Sequence, residues 1–127
     1  MAVVPTFIIR QGAGETTFPF AVPANSGYAV TGSAGLAATI TITGQTGRPT
    51  ILSQVDWSYS SAPTGGNIKV QDGSTTIWEV DVTAAGPGFK TFTPPLSITP
   101  GANMVITLAA PGGAIVGKVD CYAWVEQ

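Results

Sequence analysis

The chain has 127 residues, the length of one domain with its own core, and 44% of them are hydrophobic. Charged residues make up only 9%, against roughly 25% in ordinary soluble domains, and the net charge is −2. The five basic residues, Arg10, Arg48, Lys69, Lys90 and Lys118, are scattered one per segment, so no basic stripe exists to displace counterions, and nucleic acid is not an expected partner.

Residues 1 to 36 read as an extended N-terminal arm belonging to the same domain, with short strands near 6 to 10 and 28 to 31. Its apolar clusters, Phe7, Ile8, Ile9 and then Phe18, Phe20, Val22, are broken by Gly12, Gly14, Pro19, Pro23 and Gly27. From residue 37 to 127 the pattern is a string of alternating apolar and polar runs closed by turn residues. Thr39 to Thr43 puts Ile40 and Ile42 on one face and three threonines on the other. In Pro49 to Ser60 the alternation predicts Ile51, Val55, Trp57 and Tyr59 inward, with Gln54, Asp56 and Ser58 outward.

Ala62-Pro63-Thr64-Gly65-Gly66 reverses the chain. Residues 67 to 71 and 76 to 83 then form a predicted hairpin around Asp72-Gly73, with Ile68, Val70, Trp78, Val80 and Val82 inward. A short strand is expected near Phe89 to Thr93, since Pro94-Pro95 forbids a central strand beyond it. Asn103 to Ala110 and Val116 to Val125 complete the set. The last strand sets Val119, Cys121, Ala123 and Val125 against Lys118, Asp120, Tyr122, Trp124 and Glu126. Seven strands from residue 39 onward, plus one or two from the arm and no helical period, predict an all-β antiparallel two-sheet sandwich of jelly-roll type.

The absence of histidine removes Ser-His-Asp and Cys-His nucleophile systems, histidine zinc sites and imidazole bases. A lone cysteine, Cys121, builds neither a disulfide nor a thiolate cluster and is expected as a buried, inert thiol. Glu79 and Asp81 share a strand face but read as solvated surface rather than as the opposed acids of a glycosidase. Gly112 to Lys118 has the spacing of a phosphate-binding loop, yet Val119 stands where magnesium needs a hydroxyl and no helix follows. No catalytic residue, cofactor or metal site is therefore expected, and the protein is not expected to be an enzyme. Two readings of the aromatic Tyr122 and Trp124 stay open: a glycan-stacking platform, or a face packed within the fold or on another subunit. The start, Met-Ala-Val-Val-Pro, lacks a signal-peptide pattern, and no apolar run approaches the ~18 to 20 residues of a membrane span, so cytoplasmic synthesis and no membrane partner are expected.

From Leu52 to Gln127 several segments resemble small β-sandwich proteins encoded among the structural genes of tailed bacteriophages. They are Val55-Asp56-Trp57-Ser58-Tyr59-Ser60, Pro63 to Val70, Ala84-Ala85-Gly86-Pro87-Gly88-Phe89 and Gly117-Lys118-Val119. The nearest functional class is the capsid decoration, or cement, protein. The resemblance implies a homodimer or homotrimer on the outer surface of a virion, binding between major capsid protein subunits. Phe7, Ile8, Ile9, Phe18 and Phe20 of the arm are then the candidates for intersubunit or capsid contact. The alternative is a carbohydrate-binding module of a phage tail or fibre, which would hold host glycans on Tyr122 and Trp124.

Overall fold

The computed structural model describes residues 6–11, 14–21 and 27–126, with side chains from residue 27 onward. β1 (Thr6–Gln11) and β2 (Gly14–Ala21) pair antiparallel in a two-stranded sheet of their own. β3 (Gly27–Thr31), β4 (Ala38–Ile42), β5 (Thr50–Tyr59), β6 (Asn67–Asp72), β7 (Thr75–Asp81), β8 (Gly86–Ser97), β9 (Met104–Leu108) and β10 (Gly117–Val125) follow. They form two four-stranded antiparallel sheets in the orders β3-β10-β5-β8 and β4-β9-β6-β7. Apart from the β6–β7 hairpin, successive strands from β3 onward swap sheets, and β10 lies beside β3, which is the topology of a jelly roll.

The core fills the space between these sheets. Leu52, Val55, Val119, Cys121 and Ala123 project from one, and Ile40, Ile68, Val70, Met104, Ile106 and Leu108 from the other, all buried. Two-residue spacing, reset once between Leu52 and Val55, is what delivers them to one face. Tyr59, buried at the end of β5, donates its hydroxyl to the Ala109 carbonyl at 2.7 Å and so ties the first sheet to the segment after β9. Between the β7 and β8 edges the gap is closed by aromatic rings. Trp78 meets Trp57 at 6.2 Å and Phe92 edge-on at 5.4 Å. A Cβ at Gly88 would stand 2.6 Å from the Trp57 indole, so the ring uses the space that only glycine leaves.

Residues 14–21, for which no strand is expected from the sequence, form β2 against β1. Four further expectations are corrected. The sandwich begins at residue 27, not 37, because Tyr28 and Val30 give β3 an inward face and its backbone pairs with β10 through Tyr28–Cys121 and Val30–Val119. Ile51 faces outward and Leu52 inward. A β-bulge at Ser53 adds one residue to β5 and shifts its phase, and the Ser53 hydroxyl donates to the Tyr122 carbonyl at 3.1 Å. β8 continues past Thr93 to Ser97, and its pairing with β5 skips from Gln54–Thr91 to Leu52–Leu96. It can do so because it is an edge strand, where a missing N–H costs no ladder bond. Val80 shares the inward face of its partner Ile68 but is 40% exposed rather than covered, since β7 is also an edge strand with a neighbour on one side only. At the β6–β7 turn the tight reversal holds, with Gly73 at φ 62° and Thr99 donating its amide and hydroxyl to the Asp72 carboxylate.

Candidate functional site

The outer face of the β3-β10-β5-β8 sheet is built by the residues that alternate with its core positions. Register places them in cross-strand rows. One row reads Gly27, Tyr122, Gln54, Thr91; the next reads Ala29, Asp120, Asp56, Phe89; a third reads Thr31, Lys118, Ser58, Pro87. Beyond the bulge, Trp124 lies opposite Ile51, both half-buried. Tyr122 is 51% exposed and Phe89 70% exposed, so two large rings stand in solvent on one flat face.

The groups between them are fixed to one another. The Gln54 amide nitrogen donates to Asp56 Oδ1 at 2.8 Å, while its oxygen accepts the Thr91 hydroxyl at 3.3 Å. Asp56 sits directly across from Asp120 on β10. Like charges so placed cost stability on a sheet, by a few tenths to about 1 kcal/mol. Two shallow hollows of about 180 Å³ each flank Asp120, one bordered by Gly27, Ala29 and Tyr122, the other by Thr31, Ser58 and Lys118. Behind this face Cys121 is buried, and burial first, then the Asp120 and Asp56 charges, pushes its thiol up to about 12. A thiol held neutral in this way is a poor nucleophile at ordinary pH.

The chain matches no protein-family model and no curated protein sequence. Among solved structures it is similar to PirA, at 9% identity and a TM-score of 0.48, covering 78% of this chain and 94% of that one. It is similar also to the carbohydrate-binding module CBM36 in complex with calcium and xylotriose. There the identity is 18% and the TM-score 0.41, over 95% of this chain and 93% of the module. A chain of the acidic stable capsid of Helicobacter pylori bacteriophage KHP30 is 12% identical at a TM-score of 0.42, over 79% of this chain and 96% of that one. At these scores the fold rests on the strand order described above, and the ligands and assemblies of these proteins stay with them.

The residues singled out in the sequence fall in two places. Tyr122 and Trp124 share the outer face, on the side of β10 opposite Cys121. Phe7, Ile8 and Ile9 lie on β1, and Phe18 and Phe20 on β2; their side chains lie outside the described residues. Glu79 and Asp81 are exposed on β7 and both accept from the Asn67 amide. Lys118 stands exposed on β10, in a strand and on no phosphate-facing helix. Among the described residues no three His, Cys, Asp or Glu side chains gather to hold a metal. Sequence reasoning left Phe89, Gln54 and Thr91 out of any site. The signal that finds Phe89 is its odd separation from Phe92: on one strand, residues three apart face opposite ways.

Proposed function

We propose that this protein is a non-enzymatic structural component of a tailed-phage virion, a homo-oligomer that decorates the outer capsid surface and ties neighbouring major capsid protein subunits together. The observation that carries this reading is the β1–β2 hairpin. It forms a sheet separate from both sandwich sheets, and its sequence concentrates Phe7, Ile8, Ile9, Phe18 and Phe20. A two-stranded hairpin is marginal in water by itself, and one so apolar gains its stability by lying against another surface. A neighbouring copy or a shell subunit supplies that surface. The low charge of the chain agrees, because a surface meant to be covered repeatedly by symmetry-related neighbours loses little by carrying few ions to desolvate. Weak contacts repeated over a shell then add through avidity.

Deleting residues 1–21 tests this, because β3 and the whole sandwich remain. The expected outcome is an intact β fold by circular dichroism, a fall in oligomeric mass and lost binding to shells purified without the protein. A truncated protein with unchanged mass and unchanged shell binding would overturn the reading.

A further inference from the structure

The outer face of the β3-β10-β5-β8 sheet has the makings of a ligand site in its own right, whether or not the protein sits on a shell. Tyr122 and Phe89 stand two strands apart and one row out of step. With strands about 4.8 Å apart and about 3.4 Å per residue along each, their backbones are about 12 Å apart on the diagonal. Between them lie Gln54, Asp56 and Asp120, and the first two are held by the Thr91–Gln54–Asp56 hydrogen bonds before any ligand arrives. The rim is low. Gly27, Ala29 and Thr31 line the β3 side, and the Tyr122 ring leans toward Gly27, which has no side chain to cover it.

The chemistry of this face selects a class of ligand. Apolar rings separated by carboxylates and an amide suit a molecule that presents C–H faces and hydroxyl donors alternately. A protein partner laid flat here would desolvate two facing carboxylates. A polyhydroxylated ligand instead gives each carboxylate oxygen a donor, and charge-assisted bonds of that kind are the stronger ones. An acidic ligand would meet Asp56 and Asp120 and be repelled.

We propose that Tyr122 and Phe89 form the two ends of a binding platform for a neutral pyranose oligosaccharide, with Gln54, Asp56 and Asp120 as its hydrogen-bonding floor. The test is titration of the full chain, by calorimetry and by protein NMR, with neutral gluco-, xylo-, manno- and galacto-oligosaccharides from disaccharide to hexasaccharide, and with oligogalacturonate as the acidic control. At least one neutral series is expected to bind saturably, more tightly as the chain lengthens. Tyr122→Ala and Phe89→Ala are each expected to weaken that binding at least about fivefold with the melting temperature unchanged. If either variant loses its fold, Gln54→Ala takes its place and is expected to weaken binding likewise. The proposal is overturned if no neutral saccharide binds at millimolar concentration, if the folded variants bind like the parent, or if oligogalacturonate is preferred.

Discussion

Aromatic residues do opposite work in two regions of this molecule. At the β7/β8 edge, Trp57, Trp78 and Phe92 turn into the sandwich and touch ring to ring; on the outer face of the β3-β10-β5-β8 sheet, Tyr122 and Phe89 turn into water. Phe89 and Phe92 belong to the same strand, and only the parity of their positions separates them. The first group answers to packing, so its losses should be read in stability. The second touches little, so its losses should be read in binding.

The sharpest way to break this contrast is to truncate Phe92, which is 7% exposed. Phe92→Ala is expected to lower unfolding stability by about 3 to 5 kcal/mol, a large share of the roughly 5 to 15 kcal/mol of an ordinary domain. A shift below about 1 kcal/mol in a urea melt would show that the ring cluster does not hold the edge together. Gly88→Ala probes the same cluster from behind. Its methyl would drive into the Trp57 indole, and a loss of about 1 to 3 kcal/mol is expected, with a change in near-ultraviolet circular dichroism from the displaced tryptophan.

Cys121 sharpens the comparison through pH, because it lies directly beneath the exposed face. Its folded pKa of about 12 lies above the ordinary 9.0, so the neutral thiol is the form that folding favours. Its contribution is complete below pH 9 and is lost as pH rises from there toward 12, at up to about 1.4 kcal/mol per pH unit. Burial also raises Tyr28 and Tyr59 above 10.0, so they add to the loss only at higher pH. Stability measured between pH 9 and 10 should therefore fall in the parent and stay flat in Cys121→Ala. Equal slopes in the two would mean that the thiol ionises freely. The smallest effect is expected at the displayed rings: Phe89→Ala and Tyr122→Ala should each move stability by no more than about 0.5 kcal/mol, and a larger loss would show that they pack rather than present.

Much of this architecture can be read from local pattern. The alternation in Thr39-Ile40-Thr41-Ile42 and in Val119-Asp120-Cys121-Tyr122-Ala123 assigns each side chain to a face, and the structure agrees at every one of these positions. Asp72-Gly73 marks its turn for the same local reason, since glycine tolerates the positive φ found there. The reading slips where one inserted residue resets the phase. Ser53 carries no mark of a bulge, and it exchanges Ile51 for Leu52 in the core. It slips again where the consequence depends on a neighbour far along the chain. Pro94-Pro95 forbids a central strand, but whether β8 stops or runs on as an edge is settled by its having only β5 beside it.

The candidate site follows the same division. Tyr122 and Trp124 are visible as outward residues of one strand, whereas the platform needs Gln54 from β5 and Thr91 and Phe89 from β8. Those partners are brought to the same rows by pairings that span long stretches of chain. The amino-acid order by itself determined the all-β class, most of the strands, the inward residues of most of them and the lack of imidazole chemistry, because a period of two residues is a local property. Only the tertiary structure decided which strands became edges, where the sandwich begins and which aromatic rings were left uncovered. Sheet order comes from long-range pairing, and a side chain is buried only if the other sheet lies over it.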